Sequence, residues 1–404
     1  MVIAKLKIIG LFLVVPYLVI FAALLSGQST ENLASDFPGK VRLVLPKTIY
    51  ATSDVETNIY FDNIILTANS ANYAFDVRCD KGVHLAEKWT YLPKQNEAGD
   101  YPLTAEVHDD TNAVVARASS ILRVSSAAAG AERRVTLLAV GDSLTEASIY
   151  TQRLLELCDG PNGPVLTLIG SRGSGNSPAR GSNRHEGYSG WTAEAFVTLV
   201  GPASRTGFFK RPETGSPFVY VDTSGQPKLD FPRYCQQFNA GNAPDFVTFG
   251  LGGNDIFYAT DADINELTDK IFTFYDALVN MVRDFRRTTK IGIFLIIPPS
   301  TSQDGFQGYS TVERQTRWQF RRDQHRFIER LIEHYGGRQA ENIYLIPLYL
   351  NLDCAHSYPM RASPWNAETT DEVSRVFNGT HPSPGGYRQI GDSIYCWMKA
   401  CLSN

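Results

Sequence analysis

Four short polar stretches carry the residue types that acyl transfer through a hydroxyl needs. They are Val140-Gly141-Asp142-Ser143-Leu144-Thr145, then His185-Glu186-Gly187-Tyr188-Ser189-Gly190-Trp191, then Gly252-Gly253-Asn254-Asp255, and last Asn378-Gly379-Thr380-His381-Pro382-Ser383. A serine becomes a nucleophile when a neighbouring base takes its proton and later returns it to the leaving alcohol. Ser143 and His381 are the types for those two roles. The oxygen that gains negative charge needs hydrogen-bond donors, and losing one typically costs ~3 kcal/mol of barrier. The backbone N–H groups of Ser143 and Gly190 and the Asn254 side-chain amide would supply three. Glycine at 190 lets backbone approach substrate closely, and an asparagine amide donates at any pH. Each residue also has a plainer reading. Asp142 and Ser143 can simply cap a helix, His381 can be a satisfied histidine at a helix start, and Asn254-Asp255 can be a turn. Gly187 can serve in place of Gly190.

Elements of two kinds must position these stretches. Apolar runs at 135–140, 165–169, 246–251, 291–297 and 343–347 read as strands. Helices are expected near 150–158, over 265–285 where Leu267, Ile271, Phe274, Leu278, Val282 and Phe285 keep a helical period, over about 312–335, and from about 385 to the end. Continuous apolar strands alternating with amphipathic helices predict a parallel sheet covered on both faces, a three-layer α/β domain. Each polar stretch then follows a strand or precedes a helix, so all four can meet at one sheet edge, where open α/β sheets bind ligands. Upstream, short β-rich runs at 41–45, 58–61, 73–77, 103–107 and 118–124, separated by polar turns, predict a small all-β sandwich. The expected organisation is a β-sandwich (Ig-like) domain over 37–125, a small-residue linker over 126–133, and the α/β domain over 134–404.

On these four motifs, in this order and on this strand pattern, the chain resembles the SGNH (GDSL-type) hydrolase superfamily from about residue 134 to the carboxyl terminus. The resemblance implies a flavodoxin-like three-layer hydrolase fold, Ser143 as nucleophile, His381 as general base, and Ser143, Gly190 and Asn254 as the oxyanion hole. A β-sandwich followed by a Gly-Asp-Ser-Leu-Thr half also looks like exported bacterial members, many of which act on acylated carbohydrates. The expected activity is serine ester hydrolysis, with small acyl groups such as acetyl on carbohydrate. Longer-chain lipase or thioesterase activity and a catalytically weak carbohydrate binder stand as alternatives. One departure matters: the superfamily pattern is Asp-x-x-His, and here position 378 is asparagine. Asn378 can still accept the imidazole proton but brings no negative charge, and Asp371 or Glu372 upstream could substitute.

Other residues have weaker claims. Tyr188 and Trp191 are expected to contact substrate, and with Phe208, Phe209, Phe218 and Tyr220 to rim the site, although all six read equally well as loop core. His185 and Glu186 are read as braces for the loop that carries Gly190. His325 and His334 are expected on a helix surface. The long segment 201–243 is read as a substrate-facing insertion.

Composition sets the remaining bounds. The chain has 404 residues, 43% hydrophobic and 20% charged, with a formal net charge of −4. That balance is globular, and no basic stripe argues for nucleic acid. The absence of a Gly-x-Gly-x-x-Gly turn after the first strand argues against a nucleotide-binding domain. Lys5 and Lys7 followed by the apolar run 8–25 read as a signal peptide or membrane anchor over 1–27, hence an exported protein that is periplasmic, secreted or anchored facing outside. Six scattered cysteines without a Cys-x-x-Cys pair carry no zinc signature. A Cys354 disulfide with Cys396 or Cys401 and buried free thiols are equally compatible with them. Neither a metal nor an organic cofactor is expected. The expected partner is an acylated small-molecule or polysaccharide substrate.

Overall fold

The apolar run before Ser143 forms strand β1 (Arg134–Gly141), and the short helix α1 (Ser143–Glu146) begins at the serine itself. Helix α2 (Ile149–Cys158), strands β2 (Val165–Ile169) and β3 (Phe246–Gly250), helix α3 (Ile264–Phe285), strand β4 (Lys290–Phe294), helix α4 (Arg317–Tyr335), strand β5 (Ile343–Ile346) and helix α5 (Pro384–Leu402) follow. This computed structural model describes residues 41–403 apart from 174–180, 202, 205–211, 214 and 308–314. The 1–27 segment expected to be a signal or anchor lies outside the described residues, as do Phe208 and Phe209. No described helix is long and apolar enough to cross a membrane.

The five strands are parallel, in the spatial order β2-β1-β3-β4-β5. This is the doubly wound order whose crevice opens between the first and third strands, at the strands' carboxyl ends. Period-2 alternation divides the sheet between two cores. Leu138, Val140, Val247, Phe249, Ile291 and Ile293 join the core that includes α3 and α4. Val135, Leu137, Phe246, Phe294 and Ile346 join the core that includes α2 and α5. The expected three layers are therefore present, each face closed by amphipathic helices.

Upstream of the sheet, Thr48–Thr52, Val114–Ser125, Gly99–His108 and Ala74–Arg78 form a four-stranded sheet in that order, and Thr57–Tyr60, Lys88–Tyr91 and Val83–His84 a three-stranded one. Their alternate residues Ile59, Trp89, Val77, Leu103 and Leu122 are buried together. Val41–Asn404 pack as one compact unit, with the sandwich against α5 and the short helix Leu348–Asn351 that follows β5. The small-residue segment 126–133 is a run of turns, held where Lys399 Nζ donates to Ala127 O at 2.6 Å and to Asn162 O at 2.8 Å. All six cysteines are free, so the Cys354 bridge is not formed. His325, expected on a surface, is 1% exposed within α4. An antiparallel hairpin, Met360–Pro364 with Glu372–Val376, stands just before Asn378 and was not foreseen from its short polar strands.

Candidate active site

The sheet register delivers two of the motifs to one point. Gly141 at the end of β1 lies opposite Gly250 at the end of β3, so Ser143 and Asn254 leave neighbouring strands at the same level. The third stretch arrives by an extension of the sheet. The strand Arg184–Gly187 pairs with the last residues of β1, Val140 with Glu186 and Gly141 with Gly187. Tyr188 N then donates to Gly141 O at 3.0 Å. A side chain at 187 would not fit, since its Cβ would come within 2.4 Å of the Glu146 backbone nitrogen. Gly190 has φ +73°, the left-handed region that favours glycine.

Buried acids pin the loops around this point. The Glu146 carboxylate accepts Ser189 N at 3.1 Å, the Ser189 hydroxyl, and Arg172 Nη2 at 3.0 Å. Glu186 accepts Ser171 N and Oγ and the Tyr188 and Tyr234 hydroxyls, all within 2.6–2.8 Å. His185 Nε2 meets Ser148 Oγ at 2.7 Å. Asp255 Oδ1 accepts Ala193 N at 3.0 Å and Oδ2 accepts Gly252 N at 3.0 Å, which fixes the loop that carries Asn254.

The fourth stretch reaches the same place from the other side. Gly379 O accepts Ser300 N at 2.9 Å and Gly379 N donates to Gly305 O at 3.0 Å, so the loop beyond β4 holds it. His381 Nε2 then lies 2.8 Å from Ser143 Oγ. With Nε2 accepting the serine proton, the ring proton sits on Nδ1. Its nearest acceptor is Thr380 Oγ1 at 3.2 Å, and the Thr380 hydroxyl donates in turn to Asn378 Oδ1 at 3.3 Å. The Asn378 amide lies alongside the same ring atom, with Nδ2 3.3 Å and Oδ1 3.4 Å from Nδ1. That oxygen also accepts the backbone N–H of Thr380 at 3.1 Å and of His381 at 3.0 Å, which sets the orientation of the amide. Among the described residues no carboxylate bonds to His381. Asp371 and Glu372 are exposed in the hairpin, and neither bonds to His381. Burial alone pushes the His381 pKa below the ordinary histidine value.

Around the serine, the N–H of residue 143 opens a helix, where no preceding carbonyl of the helix accepts it. Asn254 Nδ2 donates to Trp191 O at 3.1 Å, and its other contact, Asp142 Oδ2 at 3.4 Å, is long for a hydrogen bond. Asp142 caps α1 by accepting Leu144 N at 2.9 Å. Desolvation pushes its pKa up to about 7.

Tyr188 and Trp191 do not contact the site's cavity. They are 2% and 1% exposed and stack on each other with ring centroids 4.2 Å apart. Phe196 meets both edge-on. This corrects the substrate contact expected of them: the pair is the packed base of the Gly190 loop. Phe218, Phe231 and Tyr234 of the 201–243 insertion extend the same aromatic core, while residues 223–228 between them are exposed. The cavity beside Ser143 and His381 measures about 500 Å³, and its walls include Leu144, Phe257, Phe294, Ile297, Leu348 and Ile390. Sequence reasoning missed Thr380 and these walls. The signal for Phe294 and Ile297 was the run 291–299, apolar well past the last strand residue, Phe294.

A family model for GDSL-like lipases and acylhydrolases matches residues 137–394. The chain belongs to the GDSL-like lipase/acylhydrolase family. It is therefore a serine ester hydrolase of the SGNH fold. Solved structures similar to this family member include a family 3 carbohydrate esterase from Talaromyces cellulolyticus, with 17% identity, 66% of this chain and 98% of that chain covered, and TM-score 0.37. A Clostridium thermocellum family 3 carbohydrate esterase shows 16% identity, 67% and 100% coverage, and TM-score 0.37. A carbohydrate acetylesterase family member from Sinorhizobium meliloti shows 14% identity, 67% and 100% coverage, and TM-score 0.38. No curated protein sequence matches the chain.

Proposed function

We propose that the protein hydrolyses acyl esters through an acyl-enzyme on Ser143, and the observation that carries this is the 2.8 Å contact between Ser143 Oγ and His381 Nε2. His381 takes the hydroxyl proton as Oγ attacks the acyl carbon. The oxygen that becomes negative is met by the N–H groups of Ser143 and Gly190 and by Asn254 Nδ2. His381 then gives its proton to the leaving alcohol. Water, deprotonated by the same imidazole, releases the acid and restores the serine. Thr380 Oγ1 accepts the Nδ1 proton and Asn378 orients the Thr380 hydroxyl, without adding charge. In this reading the alcohol portion is carbohydrate, a reading supported by the likeness of the sandwich-plus-hydrolase chain to exported bacterial enzymes of that kind. The basic start and apolar run of the sequence support export.

Aryl esters tested on wild type and Ser143→Ala check the mechanism. Wild type is expected to turn over and to be labelled once, at Ser143, by a fluorophosphonate, read by peptide mass. Ser143→Ala is expected to lose at least a thousandfold in kcat and to escape labelling. Turnover in the variant close to wild type would overturn the acyl-enzyme; no turnover in either protein would favour a binder on the same fold. Release of acid from acylated polysaccharide, set against the same acyl group on simple alcohols, checks the carbohydrate portion.

A further inference from the structure

The sequence resemblance implies small acyl groups, acetyl among them, but the cavity is built for more. We propose that it is an acyl-chain site for linear chains of medium length, with the polar alcohol portion left outside; this rests on the Ser143 reading above. The volume is about 500 Å³. A water-sized group takes about 30 Å³ of liquid, so there is room for on the order of ten chain carbons, where an acetyl methyl fills one place.

The chemistry of the walls changes with depth. Polar groups lie at the serine: Ser143, Asn254, His381, Thr380 and Ser189. More deeply buried in the same lining are Phe294, Ile297, Leu348 and Ile390, only 2–7% exposed. Buried polar groups of the lining bond within the protein: Thr145 Oγ1 and the Tyr150 hydroxyl lie 2.8 Å apart, and Asp142 Oδ1 accepts Leu144 N at 2.9 Å. A sugar ring placed there would bury hydroxyls without partners, which is costly. An alkyl chain would lose nothing and would gain about fourfold in binding for each methylene removed from water.

The test is kcat/KM for p-nitrophenyl acetate, butyrate, hexanoate, octanoate, decanoate and dodecanoate, all below their aggregation limits, with a parallel series of acetates of straight-chain alcohols. We expect a rise of up to about fourfold per added methylene in the acyl series, a maximum between hexanoate and decanoate lengths, and little response in the alcohol series. Ile390→Phe is expected to lower the octanoate-to-butyrate ratio at least tenfold, and Ile390→Val to hold or raise it. A maximum at acetate, or a rise confined to the alcohol series, would overturn the proposal. A Ser143→Ala protein that still hydrolyses these esters would instead overturn the nucleophile, so the two failures are distinguishable.

Discussion

The Asn378 oxygen is occupied before the imidazole reaches it, because it already accepts two backbone N–H groups. Aspartate at 378 would keep both of those bonds and add a negative charge beside Nδ1, which stabilises the imidazolium that forms during reaction. Asn378→Asp is therefore expected to raise kcat tenfold or more, and an unchanged or lower rate would count against this account. The same change should move the acid limb of the pH–rate profile. In wild type, burial lowers the His381 pKa, so the neutral base persists, and activity with it, below pH ~6.5, the ordinary histidine value. A carboxylate at 378 favours the charged ring and should shift that limb upward. Thr380 carries the other half of the argument. Thr380→Val removes the nearest acceptor for the Nδ1 proton and should lower kcat about tenfold with KM little changed, while Thr380→Ser should restore it. Little of this was legible in the chain. The motifs give the residue types at 143, 254 and 381, but the hydroxyl between His381 and Asn378 emerges only from the turn that folds Thr380 back onto both.

At the level of elements, the site depends on a polar strand and a buried acid. Arg184–Gly187 has none of the apolar character that marks the rest of the sheet, since it joins β1 only at its last two residues. Its neighbour Glu146 ties it down through Ser189 and Arg172. Removing one partner of a buried ion pair usually costs about 3–5 kcal/mol. Glu146→Ala should therefore lower Tm by several degrees, measured calorimetrically, and reduce kcat as the Gly190 loop loosens. An unaltered Tm would show that the carboxylate does not hold the loop. The five parallel strands and the long helices were readable because each buries a continuous run or a clear helical stripe. Strands with short or mixed runs were not: Lys88–Tyr91 pairs through its backbone with only Trp89 and Tyr91 buried, and the hairpin after residue 359 is mostly exposed. Tyr188 and Trp191 misled for a related reason. Aromatic residues beside a catalytic loop read equally well as rim or as core, and here stacking and the Glu186 bond draw them inward.

For the molecule as a whole, the question is whether sandwich and hydrolase behave as one body. Contacts between adjoining domains in a chain are often loose, but this junction is wired by buried polar groups. Arg321 Nη2 donates to the carbonyls of Asp62, Asn63 and Ile65 at 2.8, 2.9 and 3.1 Å. Asn63 Nδ2 donates to Tyr349 O and Leu352 O, both at 2.7 Å, and Asn58 N donates to Asn351 Oδ1 at 2.9 Å. Burial pushes the Arg321 pKa down to about 10, so the guanidinium stays charged at neutral pH. One helical turn earlier, Arg317 Nε donates to Ser300 O at 2.8 Å, and Ser300 N donates to Gly379 O. The helix that grips the sandwich therefore also supports the loop that carries His381. Wild type should unfold in a single calorimetric transition. Arg321→Met keeps the bulk but strands the buried carbonyls of Asn63 and Ile65, at about 1–3 kcal/mol each. The variant should melt several degrees lower, with the transition broadened or split as the sandwich lets go first, and should lose kcat at temperatures below that melt. Two separate transitions in wild type, or a variant with full thermal stability, would mean that the two parts fold and work independently.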